Sequence, residues 1–433
     1  MIKFVSICIF IVAAAVLQAA VSQSGTFEPV TSGGNGSYQA SAIPNFRTTV
    51  FYAEYDDISP TPAQVDWTAF NYVIVFGTST TGSTAPYLRE AGNVSPSDSA
   101  NFDGGYNKKI NWIKAITDSA HAHGVKVYFS VNVGSVFSIL LTDVTNDVNK
   151  RHTYESYVAG AGGWMARRHL DGIYFDYEYP NNADTGFKAL VNELRDTMAT
   201  WTTPLVGVDV PNYWEPVFAD TAWSNNKFDQ IDIMAYGFDD GSSVVGFNSP
   251  LYQDLATYPN YNGTSWFGDT KNGQGVYIGW INHGIRKNKL GVILPFEMRS
   301  ATGVSAPGQS GHASTFTYYS TVVTAIQTAA ALSPPVSPSW DAVAKVPWLG
   351  YTDAGGTQHF FSYENQASIQ AKVDTLKNGG FNGVGVWHLG IGYASNATPH
   401  DQLLQFVKSA VGGTGTVPTD TIKPTITMTS PVN

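Results

Sequence analysis

The chain is nearly without cysteine. The only one, Cys8, lies within the first 22 residues. That stretch reads as a secretory signal: Lys3 gives the positive start, "FVSICIFIVAAAVL" the apolar middle, and "AVS" a small-residue cleavage site before Gln23. The mature protein is therefore expected outside the cell, with neither disulfides nor thiol chemistry. A domain this large can stand on its hydrophobic core alone. The apolar run is roughly 14 residues where about 20 are needed to cross a bilayer, and no other run qualifies, so no membrane span is expected. Charge is scarce as well, at 13% of residues, with 24 basic against 34 acidic side chains and a net charge of −10. No basic stripe is visible, which disfavours nucleic acid and leaves a neutral or basic polymer compatible as partner. The nine histidines lack ligand spacing, and neither a phosphate loop nor a Ser–His–Asp order emerges, so no metal and no cofactor is expected.

What the chain has in quantity is apolar and aromatic. Hydrophobic residues make up 43% and aromatics 13%, with 11 Trp and 23 Tyr. That supply builds a sizeable core and also suits a surface that stacks flat apolar faces, sugar rings included. Residues 23–46 are Gly/Ser-rich and read as a linker. Beyond them, short apolar runs alternate with amphipathic stretches: "TTVFYAEY" (48–55), "NYVIVFG" (71–77), "VKVYFSVNVG" (125–134), "DGIYFDYEY" (171–179), "PLVGVDVPN" (204–212), "FDQIDIMAYGF" (228–238), "KLGVILPFE" (289–297) and "FNGVGVWHLG" (381–390). Helical spacing lies between them, as in "KKINWIKAITDSAHAHG", with Gly124 as its C-cap, "GFKALVNELRDTMATW" and "ASIQAKVDTLKNGG". Eight strands alternating with helices over 47–412 predict an α/β (β/α)8 TIM barrel with insertions after strands 2 and 7, at residues 79–107 and 298–366. Both insertions leave the C-terminal ends of strands, where active sites of this architecture sit. A doubly wound sheet competes, but no Gly-rich nucleotide turn follows the first strand. The tail 413–433 turns to Thr, Pro and Gly, and "KPTITMTSP" resembles the opening strand of an immunoglobulin-like accessory module. Four Asn-x-Ser/Thr sequons, at Asn35, Asn93, Asn262 and Asn396, are patterns short enough to arise by chance.

The anomaly in this scheme is "DGIYFDYEYP", 171–180, an apolar strand run with carboxylates inside it. Buried charge is costly unless paired or put to use. Alternation places Tyr174, Asp176 and Glu178 on one face and Phe175 and Tyr177 on the other. The first face would be the barrel interior, with Glu178 at the open mouth and Asp176 about 6.6 Å below it along the strand. Two carboxyls that close cannot both ionise freely, and a protonated Glu beside a charged Asp is what acid cleavage of an acetal requires. A salt-bridge or capping cluster is the alternative reading of the same residues.

The motif resembles the D-G-x-D-x-D-x-E signature of family-18 glycoside hydrolases, the chitinase family, with its trailing Y-P. Further stretches match in order: "FSVNVGS" on the third strand, "IMAYGFDDG" on the sixth, "KLGVILPFEMR" on the seventh, and the run from "DAVAKVPWLGY" to "FNGVGVWHLG" on the eighth. The resemblance covers roughly residues 47–410. It implies a substrate-assisted, retaining mechanism. Glu178 would protonate the glycosidic oxygen and the sugar's own 2-acetamido carbonyl would attack the anomeric carbon. Asp176 would accept the acetamido N–H, Tyr236 would hold the acetamido oxygen, and Glu178 would then return as base to activate water. The resemblance also puts Trp387 beneath the distorted sugar, Tyr52 and Phe76 as aromatic lining, Met234 below the sugar and Ser130 in support of the inner acids. Core packing is the competing reading for Tyr52 and Phe76. Asp171 opens the signature but alternates away from the site and reads as structural.

Three positions depart from the pattern. Tyr174 replaces the innermost aspartate, which in the family shares a proton with the middle one. A tyrosine at 174 could still donate to Asp176 but carries no charge near neutral pH. Gly237 stands where an aspartate follows the tyrosine, with Asp239 and Asp240 nearby, and Glu297 stands where an aromatic is common. The expected partner is chitin or another N-acetylglucosamine-containing glycan, and the expected activity a secreted chitinase. Two readings stay open beside it: an endo-β-N-acetylglucosaminidase on glycoprotein glycans or peptidoglycan, and a non-hydrolytic chitin-binding, lectin-like protein.

Overall fold

The eight apolar runs form the eight strands of a closed parallel barrel: β1 (Arg47–Ala53), β2 (Tyr72–Thr81), β3 (Lys126–Asn132), β4 (Gly172–Asp176), β5 (Leu205–Val210), β6 (Gln230–Met234), β7 (Leu290–Pro295) and β8 (Gly383–Trp387). Each pairs with its sequence neighbours, and β8 returns to β1 to close the ring. The computed structural model describes residues 46–53, 60–81, 87–90, 107–132, 145, 147–178, 184–201, 204–239, 244–259, 265–266, 276–310 and 313–412. The signal, the tail and all but the last residue of the expected linker lie outside the described residues, as do Asp240 and the sequons Asn35, Asn93 and Asn262. Phe46, placed in the linker by composition, is buried against the barrel core.

Parallel strands covered on both faces need apolar residues at almost every position, which is why these runs lack a polar face. Their outward side chains, among them Ile173, Phe175, Tyr177, Val206, Val208, Ile231, Ile233, Val292, Leu294, Val384 and Val386, join the large core shared with the surrounding helices. These helices include Asn107–Ala122, Val148–Ala159, Asp184–Thr197, Thr221–Lys227, Val276–Asn282, Gln366–Gly379 and Gln402–Val411. Gly124 follows the first of them at φ +73°, a left-handed stop that glycine adopts without strain. The inward side chains form a separate small cluster of Phe51, Ile74, Tyr128, Tyr174, Met234 and Ile293. The barrel thus has an outer jacket of mixed aliphatic and aromatic side chains and a small plug in which aromatics meet Ile74, Met234 and Ile293.

Both insertions carry strands. Tyr87–Glu90 pairs antiparallel with the end of β2. Beyond β7, the segment expected to wall the groove folds as a five-stranded antiparallel sheet in the order Ala313–Thr317, Met298–Thr302, Gln358–Ser362, Val346–Thr352, Ser339–Asp341. It encloses a core of its own around Val245, Phe247, Ala301, Val346 and Phe360. No helix among the described residues is long and apolar enough to cross a membrane. Asn396, the one described sequon, donates its amide to Ser320 O and Thr324 Oγ1, both at 2.9 Å.

Candidate active site

Strand register brings acids together that lie far apart in sequence. Asp176 on β4 is the in-register partner of Asp209 on β5, which in turn partners Asp232 on β6. Registered neighbours in a parallel sheet point the same way, and the face these three share is the interior one, because Tyr174 and Met234 on the same parity belong to the plug. Asp176, Asp209 and Asp232 are only 2%, 3% and 1% exposed. Glu178, two residues beyond Asp176, is half-buried and shares a hydrogen bond with it.

Such crowding in a dry interior favours protons. Burial raises the Glu178 carboxyl above the ordinary glutamate range, with the Asp176 hydrogen bond pulling the other way. Asp209 is pushed well up, first by burial and then by the charges of Asp176, Glu178 and Asp232. Burial lifts Asp232 to about 6 against the hydrogen bonds from Tyr174 and Gln230. The cluster is therefore a set of coupled acids that hold their protons more tightly than free carboxyls do.

Tyr174 does not donate to Asp176. Its hydroxyl crosses the barrel to Asp232 Oδ2 at 2.7 Å, while its ring packs edge-on against Phe51 (5.6 Å between centroids) and Tyr128 (5.7 Å). The reason is space. The in-register neighbour of Tyr174 is Gly207, and a Cβ there would sit 2.4 Å from the ring. The missing side chain on β5 opens a slot sideways, toward β6, and the ring fills it. Gln230 also donates to Asp232 Oδ2 and, at 2.9 Å, to Thr49 Oγ1, tying the acid to the barrel floor.

The rim above these acids is aromatic. Trp387, at the end of β8, lies edge-on to Phe76 at 4.6 Å and to Phe51 at 5.3 Å, and its carbonyl accepts the Phe296 N–H at 2.5 Å. Tyr236, just past β6, is half-buried, and burial together with Glu297, Glu178, Asp209 and Asp176 drives its phenol well above the usual tyrosine range. It stays a neutral hydroxyl able to donate. Met234 and Ser130 are buried on the interior face, Ser130 beside Tyr174 in register.

Tyr52 is not brought to the site. It alternates to the outer face, packs 6.5 Å from Trp67 and donates its hydroxyl to the Pro60 carbonyl. Its neighbour Phe51 supplies the interior aromatic instead, because β1 pairs with β2 as Phe51↔Ile74 and Ala53↔Phe76. Asp171 sits at the opposite end of the strand. Burial there is outweighed by hydrogen bonds from Lys126, the Val127 amide and His121, all at 2.8 Å, which hold its carboxyl low. Gly237 takes φ +69° and donates its N–H to Asn248 Oδ1 at 2.9 Å. Asp239 is buried, and Glu297 lies 3.6 Å from Arg299. His152, Glu155 and Glu193 come within 4.8 Å of one another, but on helices of the outer jacket, where Arg151 already clasps Glu193. The residues that sequence reasoning missed are Asp209, Asp232 and Phe51. The signal for the first two was present: "GVDV" and "DQID" put acids inside apolar strand runs just as "DYEY" does.

Comparison with known proteins gives the family and the fold. Residues 39–391 match the family described as Glycosyl hydrolases family 18. A probable endochitinase of Caenorhabditis elegans is 29% identical over an alignment of 250 residues that covers 51% of this chain and 37% of that protein's own length. A di-N-acetylchitobiase of Rattus norvegicus is 22% identical over 308 residues, 65% of this chain and 75% of that protein. Among solved structures, a Group IV chitinase of Ostrinia furnacalis gives a TM-score of 0.65 at 18% identity over 84% of this chain and 99% of its own. A chitinase-like agglutinin of Robinia pseudoacacia gives 0.61 at 17% identity over 84% and 99%. At these identities the structural likeness speaks for the fold.

Proposed function

Given that the chain belongs to glycosyl hydrolase family 18, we propose that it hydrolyses β-1,4-linked N-acetylglucosamine chains, chitin or its oligomers, with retention of configuration. The observation that carries this reading is Glu178. It is a carboxyl held toward its protonated form at the barrel mouth, hydrogen-bonded to Asp176 and close to the neutral Tyr236 hydroxyl. Glu178 gives its proton to the glycosidic oxygen while the 2-acetamido carbonyl displaces the leaving sugar. Asp176 takes the acetamido N–H, and Tyr236 donates to the acetamido oxygen until water opens the oxazolinium ring with Glu178 as base. An acetamido group beside the scissile bond is then a requirement, not a preference. The lectin-like reading gains from the agglutinin among the structural neighbours, but a barrel that only binds has no use for a proton poised at its rim. The N-terminal signal pattern supports export to where such polymers are met.

Glu178→Gln keeps size and hydrogen bonding but has no proton to give. Its turnover of a labelled chitobioside or chitotrioside should fall by about 10³-fold or more, in the upper part of the roughly 10²–10⁴-fold that a positioned acid contributes, with the melting temperature near that of the parent. Equal turnover in the two proteins, or equal cleavage of cello-oligosaccharides lacking the amide, removes the basis of the assignment.

A further inference from the structure

Asp209 belongs to no motif of the signature, yet it is the acid set beside Asp176. It occupies the next strand in register, 3% exposed, and its Oδ1 has no hydrogen-bond partner among the described residues. Adjacent strands run about 4.8 Å apart, so two carboxyls facing the same way from registered positions come within hydrogen-bonding reach. The Tyr177 N–H donates to the Asp209 carbonyl at 3.2 Å and pins that register up to the residue before Glu178. Meanwhile the one side chain on β4 that could have served Asp176 from below, Tyr174, is committed to Asp232. A buried carboxyl with an unused oxygen is costly unless its proton has somewhere to point.

We propose that Asp209 is a positioning residue for the reaction: a neutral acid whose O–H points at Asp176 and fixes it as the single anion beside protonated Glu178. This rests on the hydrolase reading above. No bond other than a hydrogen bond is made: Asp209 keeps its proton, Asp176 accepts from it on one side and from the acetamido N–H on the other. The groups that face Asp209 are Asp176, Glu178 and Tyr174 from β4 and Asp232 and Tyr236 from β6, and burial with the three acids raises its carboxyl well above the ordinary range. The signature's inner aspartate is thus moved sideways by one strand.

The test compares Asp209→Asn and Asp209→Ala with the parent and with Glu178→Gln, using pH profiles of kcat and kcat/KM on a labelled chitobioside. Asn keeps a neutral donor and should retain kcat within about tenfold with the acid limb of kcat/KM in place. Ala takes one donor from Asp176, so Asp176 protonates more readily and the acid limb should move up by about one pH unit, the equivalent of one hydrogen bond to a charged group. An Ala variant with the parent's kcat and acid limb, beside an inactive Glu178→Gln, makes Asp209 interior filler and overturns the proposal. A folded Asn variant that loses 100-fold or more also overturns it, because an ionised Asp209 is then required. Infrared spectra give a readout independent of turnover: the carboxylic C=O absorption near neutral pH should lose one carboxyl's share in Asp209→Asn while the share removed by Glu178→Gln stays, and an undiminished absorption in Asp209→Asn would contradict the assignment. Turnover surviving in Glu178→Gln would instead undo the underlying hydrolase reading.

Discussion

Tyr174→Phe removes one oxygen from the barrel interior and leaves the rest of the plug intact, since the ring contacts with Phe51 and Tyr128 need no hydroxyl. The loss falls on Asp232, whose Oδ2 keeps only the amide of Gln230. A hydrogen bond to a buried carboxylate is worth about 1.5–3 kcal/mol, and one to a neutral carboxyl about 0.5–1.5 kcal/mol. Which value applies depends on whether Asp232 is ionised, and burial sets that change at about pH 6. The sign follows from the tyrosine's preference for the anion. Removing its donor raises the folded-state pKa of Asp232 further, so the penalty is full only above the variant's raised pKa, shrinks as the pH falls from there, and reaches the neutral-acid value below about pH 6. Protonation of Asp232 in the variant caps the loss near the upper value. For a barrel of this size, about 2 °C per kcal/mol, the melting temperature should drop by about 3–6 °C at pH 7.5 and by about 1–3 °C at pH 4.5. Calorimetry or circular dichroism at the two pH values measures both. An equal drop at each would mean that Asp232 does not titrate between them, and the account of a proton-rich interior would lose its support.

Two further outcomes follow from packing. Gly207→Ala should destabilise by about 1–3 kcal/mol through its 2.4 Å approach to the Tyr174 ring, yet cost under about 0.5 kcal/mol in a Tyr174→Leu background; equal costs in both would deny the coupling. At another buried charge site, Lys372 meets Glu364 and lies 5.5 Å from the Trp266 ring centroid, with burial lowering the amine and raising the acid. Lys372→Ala should cost about 3–5 kcal/mol by stranding Glu364, whereas Lys372→Met with Glu364→Leu should be near neutral in thermal unfolding; a double variant as unstable as the single one would refute this.

The strands were legible because each is buried on both faces and so announces itself as an unbroken apolar run; Asp176 and Glu178 stood out as carboxylates inside such a run, whereas Tyr236 and Trp387 were marked only by the resemblance of their stretches to the family's motifs. The insertion after β7 was less so. Its strands are three to seven residues long, and the pairing that joins them into one sheet, Met298–Thr302 with Gln358–Ser362, spans more than fifty residues, so no local periodicity states that those two edges meet. The exchange of Tyr52 for Phe51 has the same root. A run such as "TTVFYAEY" offers aromatics of both parities, and which one faces inward is decided by pairing with β2, a contact across more than twenty residues. The partner of Tyr174 is further still, 58 residues away on a strand that is not its neighbour. Alternation gives a side chain's face; only register gives its neighbours.

That distinction bears on how the departures from the signature should be understood. Taken singly, a tyrosine for an aspartate at 174 looks like the loss of an acid from the catalytic column. In the barrel it is one member of a set: Gly207 vacates the space that the ring fills, Asp232 accepts the hydroxyl that the ring carries, and Asp209 stands beside Asp176 where its own strand no longer supplies a carboxyl. An aspartate at 174 would crowd a fifth carboxyl against Asp176, Asp209, Asp232 and Glu178, leave the slot over Gly207 empty and strip Asp232 of a donor. Each of those changes is costly in a dry interior, and each is avoided only if the other positions change too. The acids of this barrel are better regarded as rearranged than reduced, and the chemistry assigned to Glu178 depends on the whole arrangement.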